Sequence, residues 1–131
     1  MSNKPRRIAT FIGFGRLAFG LAMIFRPAAI GRSWLGSDAE GKGGQTAMRA
    51  IGVRDAALGL GLLMALRRGR PLRGWVEAGL MADVGDALAT AGTFGSLPMP
   101  GKAVTLALAG GTALVGARIA PDVDKPEEPA M

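Results

Sequence analysis

Met48-Arg49-Ala50-Ile51-Gly52-Val53-Arg54-Asp55-Ala56-Ala57-Leu58-Gly59-Leu60-Gly61 is the stretch on which the fold turns. It lies inside an apolar run from about Thr46 to Leu66, close to the ~20 residues that a helix needs to cross a bilayer. Yet it carries two arginines and an aspartate. Gly52, Asp55 and Gly59 recur at spacings of three and four, so a helix places them on one face. A charged and small-residue face on an otherwise apolar helix needs partners of the same kind, and the rest of the chain supplies them.

Three more apolar runs of similar length flank this one. The first extends from about Ile8 to Phe25 and ends at Arg26-Pro27; the third extends from about Gly74 to Phe94 and closes at Gly95-Ser96-Leu97-Pro98. The fourth extends from about Lys102 to Ala120, with Pro121 after it, while the second stops at Arg67-Arg68-Gly69-Arg70-Pro71. Proline just past a run ends a helix, because it cannot continue the hydrogen-bond ladder. The short links at Arg67–Arg73 and Leu97–Gly101 make successive helices antiparallel neighbours. Between the first two runs, Ala28 to Leu35 reads as a short helix in the membrane interface with Trp34 at headgroup level. Ser37 to Gln45 reads as a flexible loop, and the tail 122–131, with Pro126, Glu127, Glu128 and Pro129, as disordered. The expected fold is all-α. It is a single membrane domain over 1–131, an integral four-helix bundle (about 8–25, 46–66, 74–94 and 102–120) with a short interfacial segment between helices one and two.

Charge gives the orientation. Lys4, Arg6, Arg7, Arg67, Arg68, Arg70, Arg73, Arg118 and Lys125 fall on one side of such a bundle, against Arg26, Arg32, Lys42 and Lys102 on the other. The positive-inside rule then puts both termini in the cytoplasm and the chain in the inner membrane. Arg16 inside the first run, and the lack of a small-residue cleavage site before Arg26, favour an anchor over a cleaved signal peptide. The formal charge of +6 does not signal nucleic-acid binding, because the basic residues gather at the ends of apolar runs and form no stripe on a solvated helix. The chain has no Cys and no His. That removes disulfides, thiolate nucleophiles, the usual zinc ligands and the commonest general base. No cofactor, metal or catalytic residue is expected.

The charges within the runs are the candidate site. Arg16 lies in the first run, Arg49, Arg54 and Asp55 in the second, and Asp83 and Asp86 in the third, with Glu77 a further candidate near the cytoplasmic interface. A charged residue at the bilayer centre costs about 2.5–3.5 kcal/mol on insertion scales, so these groups need each other. With a rise of ~1.5 Å per residue, Arg16 and Asp83 lie about 12–13 Å from the inner edge, and Arg54 and Asp86 share a depth near the outer one. The pairs expected are Arg16–Asp83 and Arg54–Asp86, with Arg49 and Asp55 completing the second cluster. Gly13, Arg16 and Gly20 share a face of the first helix, Asp83, Asp86, Thr90 and Thr93 of the third, and Thr105, Ala109, Thr112 and Gly116 of the fourth. Small residues on such faces let membrane helices approach closely.

Other motifs carry less. Gly13-Phe14-Gly15 and Gly59-Leu60-Gly61 lack the third glycine of a dinucleotide-binding loop. Asp83 and Asp86 have the spacing of a metal-binding pair, but arginines at matching depth favour ion pairing. Together, the second-run stretch quoted above, Gly15-Arg16, Arg26-Pro27, Asp83 and Asp86 resemble a family of small bacterial membrane proteins without an assigned activity. That family is itself similar to the DoxX-like four-helix membrane proteins. The resemblance spans about residues 8–120 and implies a four-helix membrane bundle but no activity. The functional expectation is a non-enzymatic accessory or scaffold protein with a buried Arg/Asp network. The alternative is a small transporter or proton-linked channel component using the same carboxylates. The lipid bilayer is the expected partner, with a homo-oligomer or a larger membrane complex beyond it.

Overall fold

Proline and glycine set the element boundaries. The computed structural model describes residues 4–93, 95, 97 and 99–126. Helix α1 (Lys4–Phe25) gives way to α2 (Pro27–Leu35), which has proline in its first turn, where a missing N–H costs nothing. Gly36, with φ of 65°, ends α2 and opens a 3-10 turn over Gly36–Glu40. Helix α3 (Lys42–Arg67) ends before Gly69, at φ 62°, and α4 (Arg73–Gly92) and α5 (Met99–Ile119) follow. Among the described residues the secondary structure is entirely helical.

Two segments differ from the sequence expectation. The stretch read as a flexible loop is folded: it forms the 3-10 turn, and α3 starts at Lys42, four residues before the apolar run. Gly44 allows this, because a Cβ there would stand 2.0 Å from the Asp38 carbonyl oxygen. An Arg32–Glu40 ion pair ties the turn to α2. The chain after α5, read as disordered from 122, also packs back. Val123 is fully buried, and the Asp124 carboxylate accepts hydrogen bonds from the backbone N–H groups of Leu72 at 2.8 Å and Arg73 at 2.9 Å. The start of α4 has no side-chain cap from its own flank, so the far end of the chain supplies one. Residues 127–131 lie outside the described part.

Helices α1 and α3 form the closest pair, antiparallel and joined along a glycine seam. A Cβ on Gly20 would come within 2.5 Å of the Gly52 carbonyl oxygen, and one on Gly59 within 2.6 Å of the Gly13 carbonyl oxygen. Helices α4 and α5 form the second extensive pair, whereas α1 and α5 barely meet. An apolar cluster that includes Ala9, Leu62, Leu72, Val76, Ile119 and Val123 closes the end of the bundle where α1 starts and α5 finishes. By length and composition, α1 and α5 are long and apolar enough to cross a membrane. Arg49, Arg54 and Asp55 interrupt α3, and Glu77, Asp83 and Asp86 interrupt α4.

Gly20→Ala should lower stability by about 1–3 kcal/mol, the usual range for overpacking, whereas Gly110→Ala, with open space around the new methyl, should be neutral or slightly stabilising. Thermal denaturation of the purified protein in detergent reads both; equal melting temperatures would mean that the α1–α3 seam is not closed as described. The same assay on Asp124→Ala should show a loss of about 0.5–2 kcal/mol, as for other lost helix caps.

Candidate functional site

The glycine seam carries the site. Arg16 follows Gly13 by three residues and Asp55 precedes Gly59 by four, so both project from the faces along which α1 and α3 touch. At this separation the Arg16 guanidinium reaches across the seam and on to α4. Its Nη1 donates to Asp55 Oδ1 at 2.8 Å. Its Nη2 donates to Asp83 Oδ2 at 2.5 Å and to the Gly79 backbone carbonyl at 2.9 Å. The fork therefore bonds three acceptors on two helices, which the planar guanidinium allows and a lysine ammonium would not reproduce. The side chains of Arg16, Asp55 and Asp83 are 12%, 9% and 10% exposed, so the cluster is largely shielded from its surroundings.

A second pair adjoins the first. Arg54 Nη1 and Nη2 donate to Asp86 Oδ1 and Oδ2 at 2.9 and 2.6 Å, a two-pronged contact between α3 and α4. Arg54 Nη2 also stands 3.6 Å from Asp55 Oδ1, which joins the two pairs into one network. The Thr90 hydroxyl donates to the Asp86 carbonyl one turn earlier and accepts from Trp34 Nε1 at 3.2 Å. Trp34 is thus pinned against α4, and Gly101 at the start of α5 packs against the backbone of Ser33 and Trp34.

Five of the seven candidates therefore meet: Arg16, Arg54, Asp55, Asp83 and Asp86. Asp55 sits on the Arg16 side of the network and links it to Arg54, where the sequence expectation put it wholly with the second cluster. Depth matching pairs groups at equal height but does not say which face of α3 meets which neighbour, and the glycine seam turns Asp55 towards α1. Arg49 lies outside the network. It is exposed, and its Nε donates to the Ile24 carbonyl at 3.3 Å, near the end of α1. Six residues separate Arg49 from Asp55, a rotation of about 240° round a helix, so the two cannot share a face. Glu77 is also outside, paired with Arg73 one turn earlier at 2.6 Å on the exposed start of α4. Lys102, counted with the loop cations from sequence, is buried in the first turn of α5.

The sequence contained no signal for the cavity beside this network. Where α1 and α5 stand apart, an open cavity of about 520 Å³ runs beneath α2. Phe11, Phe19, Val104 and Leu108 form its apolar walls, with Trp34 at one end. Arg16, Asp55, Asp83 and Asp86 form its polar floor. No group of side chains suited to a metal ion occurs among the described residues. Comparisons with protein-family models, with curated proteins and with solved structures found no match for this chain.

Arg54 and Asp86 are half-buried, with side chains 34% and 21% exposed, so losing one partner costs less than the ~3–5 kcal/mol of a fully buried pair but still leaves the other charge without its counter-ion. Arg54→Asp and Asp86→Arg alone should therefore each prevent accumulation of folded protein or lower its melting temperature sharply. The exchanged pair Arg54→Asp/Asp86→Arg should recover part of that loss. If the double variant is no more stable than the singles, the two-pronged contact does not hold α3 to α4.

Proposed function

We propose that this chain is a multipass inner-membrane protein with both termini in the cytoplasm. In this reading α1, α3, α4 and α5 all cross the bilayer as a four-helix bundle, and the Arg/Asp network holds them in register. The role that follows is that of a non-enzymatic accessory or scaffold protein, and the likeness to the DoxX-like membrane proteins belongs to the same proposal.

The observation that carries it is the inversion of the usual pattern of burial. Phe11, Phe25, Met81, Leu88, Leu108 and Leu114 face outward, Phe25 and Met81 at 75% exposure. Asp55, Asp83 and the seam glycines face inward. Scattered exposed apolar residues are ordinary in soluble proteins, but large ones on every long helix make an apolar belt that water would not tolerate and lipid would. Charged residues turned into the bundle and basic residues gathered at one end complete the pattern expected in a bilayer. Ion pairing inside the bundle also explains how α3 and α4, too charged to insert alone, are accommodated: their charges are met by each other and by Arg16.

A second reading has one observation in its favour. The cavity reaches three carboxylates, and carboxylates lining a bundle interior are the usual furniture of proton, ion and small-solute paths. A transporter or proton-linked channel component using this network is the alternative.

The test is extraction of membranes with alkaline carbonate, applied to the wild-type chain and to Asp83→Leu/Asp86→Leu. The wild type should remain in the pellet, and the variant should insert but be degraded, because Arg16 and Arg54 lose their partners. Release of the wild-type protein by the wash would sink the membrane reading. Normal accumulation of the variant would remove the structural role of the network and move the transport reading to first place.

A further inference from the structure

The network sets three carboxyl groups against two guanidinium groups, and the two carboxyls that share Arg16 line the cavity. Arg54 and Asp86 neutralise one another through two hydrogen bonds. Arg16 is shared between Asp55 and Asp83. The five side chains thus comprise two guanidinium groups and three carboxyl groups, one carboxyl more than the guanidinium groups match. That excess lies around Arg16, Asp55 and Asp83, all of which line the cavity. Asp55 Oδ1 accepts from Arg16 and lies 3.6 Å from Arg54, and Asp83 Oδ2 accepts from Arg16. Among the described residues Asp55 Oδ2 and Asp83 Oδ1 receive no hydrogen bond, and neither is a fully buried orphan; the buried polar atom without a partner is Arg54 Nε. Lys102 is not among the residues that line the cavity.

The walls above this floor are of opposite character. Phe11, Phe19, Val104 and Leu108 are apolar, and Phe11, Phe19 and Trp34 add aromatic rings, whose faces attract cations. A volume of about 520 Å³ lies within the range of sites that enclose a drug-sized molecule. The gap between α1 and α5 leaves the cavity open on the side of the bundle.

We propose that this cavity binds a lipophilic monocation, seating its positive centre over Asp55 and Asp83 and its apolar body against the α1 and α5 side chains. Both features select the class. An anion would meet the excess carboxylate, a neutral apolar molecule would leave that charge uncompensated, and a hydrophilic cation would gain nothing from the walls. A zwitterionic lipid headgroup would bring its phosphate beside the two carboxylates, so the occupant is a small free amphiphile. The inference rests on the membrane reading above only for the route of entry, from the lipid through the α1–α5 gap. Binding itself is a property of the folded bundle in detergent.

Tetraphenylphosphonium and tetraphenylborate have nearly the same size and shape and opposite charge, which makes them the discriminating probes. Binding of each to the detergent-purified, full-length protein is measured by equilibrium dialysis, with a thermal melt to show that the sample is folded. Tetraphenylphosphonium should bind at least about tenfold more tightly than tetraphenylborate, since like-charge contact in a shielded site is strongly disfavoured. Leu108→Trp, which adds bulk to an apolar wall of the cavity at a largely exposed position of α5, should weaken phosphonium binding at least about tenfold without lowering the melting temperature. Asp55→Asn, where it folds, should abolish the preference for the cation. Equal affinity for the two probes would mean that a proton meets the excess charge, and it would overturn the proposal. Phosphonium binding untouched by Leu108→Trp would overturn it as well, by showing that the probe sits elsewhere. A wild-type protein that carbonate releases but that still binds the cation selectively would overturn the membrane reading and leave the cavity assignment standing.

Discussion

One guanidinium organises the bundle. Arg16 stands on α1, yet its bonds run to Asp55 on α3 and to Asp83 and the Gly79 carbonyl on α4. It thereby connects the α1–α3 pair to the α4–α5 pair, which have little other contact through α1 and α5. In a medium that does not solvate charge, an arginine in this position cannot be left alone, and neither can the two carboxylates it meets. The constraint runs in both directions. The charges require the helices to assemble, and the assembled helices hold the charges within hydrogen-bonding distance. In the membrane reading proposed above, hydrophobic burial does not play the leading role, because lipid tails are as apolar as leucine, and packing and polar contacts between helices supply the specificity.

The glycine seam is what makes that contact reachable. Gly20 against Gly52 and Gly13 against Gly59 bring the backbones of α1 and α3 so close that a methyl group would collide at either crossing. Arg16 and Asp55 lie between these two crossings, so their separation is set by backbone geometry and does not depend on flexible side chains finding one another. Trp34 has a similar fixing role at the other end: its indole N–H bonds Thr90, whose hydroxyl is already held by the Asp86 carbonyl. The short α2 helix is in this way attached to the helix that carries the acidic groups, and it covers the cavity.

Some of this was legible from the residues. The helical character of the chain, the approximate extent of its long helices, and the alignment of Gly13, Arg16 and Gly20 with Gly52, Asp55 and Gly59 all follow from spacing, because a helix has a fixed rotation per residue. Matching charges by depth, between the parallel first and third helices and the antiparallel second and third, also places Arg16 with Asp83 and Arg54 with Asp86, the contacts seen in the structure. Height is only one coordinate, however. Arg49 shares its helix with Arg54 and Asp55, but its direction takes it to the Ile24 carbonyl. Glu77 shares α4 with Asp83 and Asp86 but lies nearly two turns nearer the helix start, where Arg73 is within reach. The segment Ser37–Gln45 reads as a loop because glycine and polar residues have low helix propensity, and packing of Gly44 against Asp38 overrides it.

What the sequence by itself determined is therefore one-dimensional: where helices run, which residues share a face, and the presence of charges that apolar surroundings would force into pairs. Tertiary structure decided the rest. It made Asp55 the bridge between the two arginines and brought Asp124 back from the far end of the chain to cap α4. It also left α1 and α5 apart, so that a cavity reaches the acidic floor. The physical reason is that helical periodicity is a local property of each segment, whereas a shared counter-ion, a borrowed cap or a cavity arises from the distance and rotation between segments. Those distances follow from how all the helices pack at once, and no single stretch of residues encodes them.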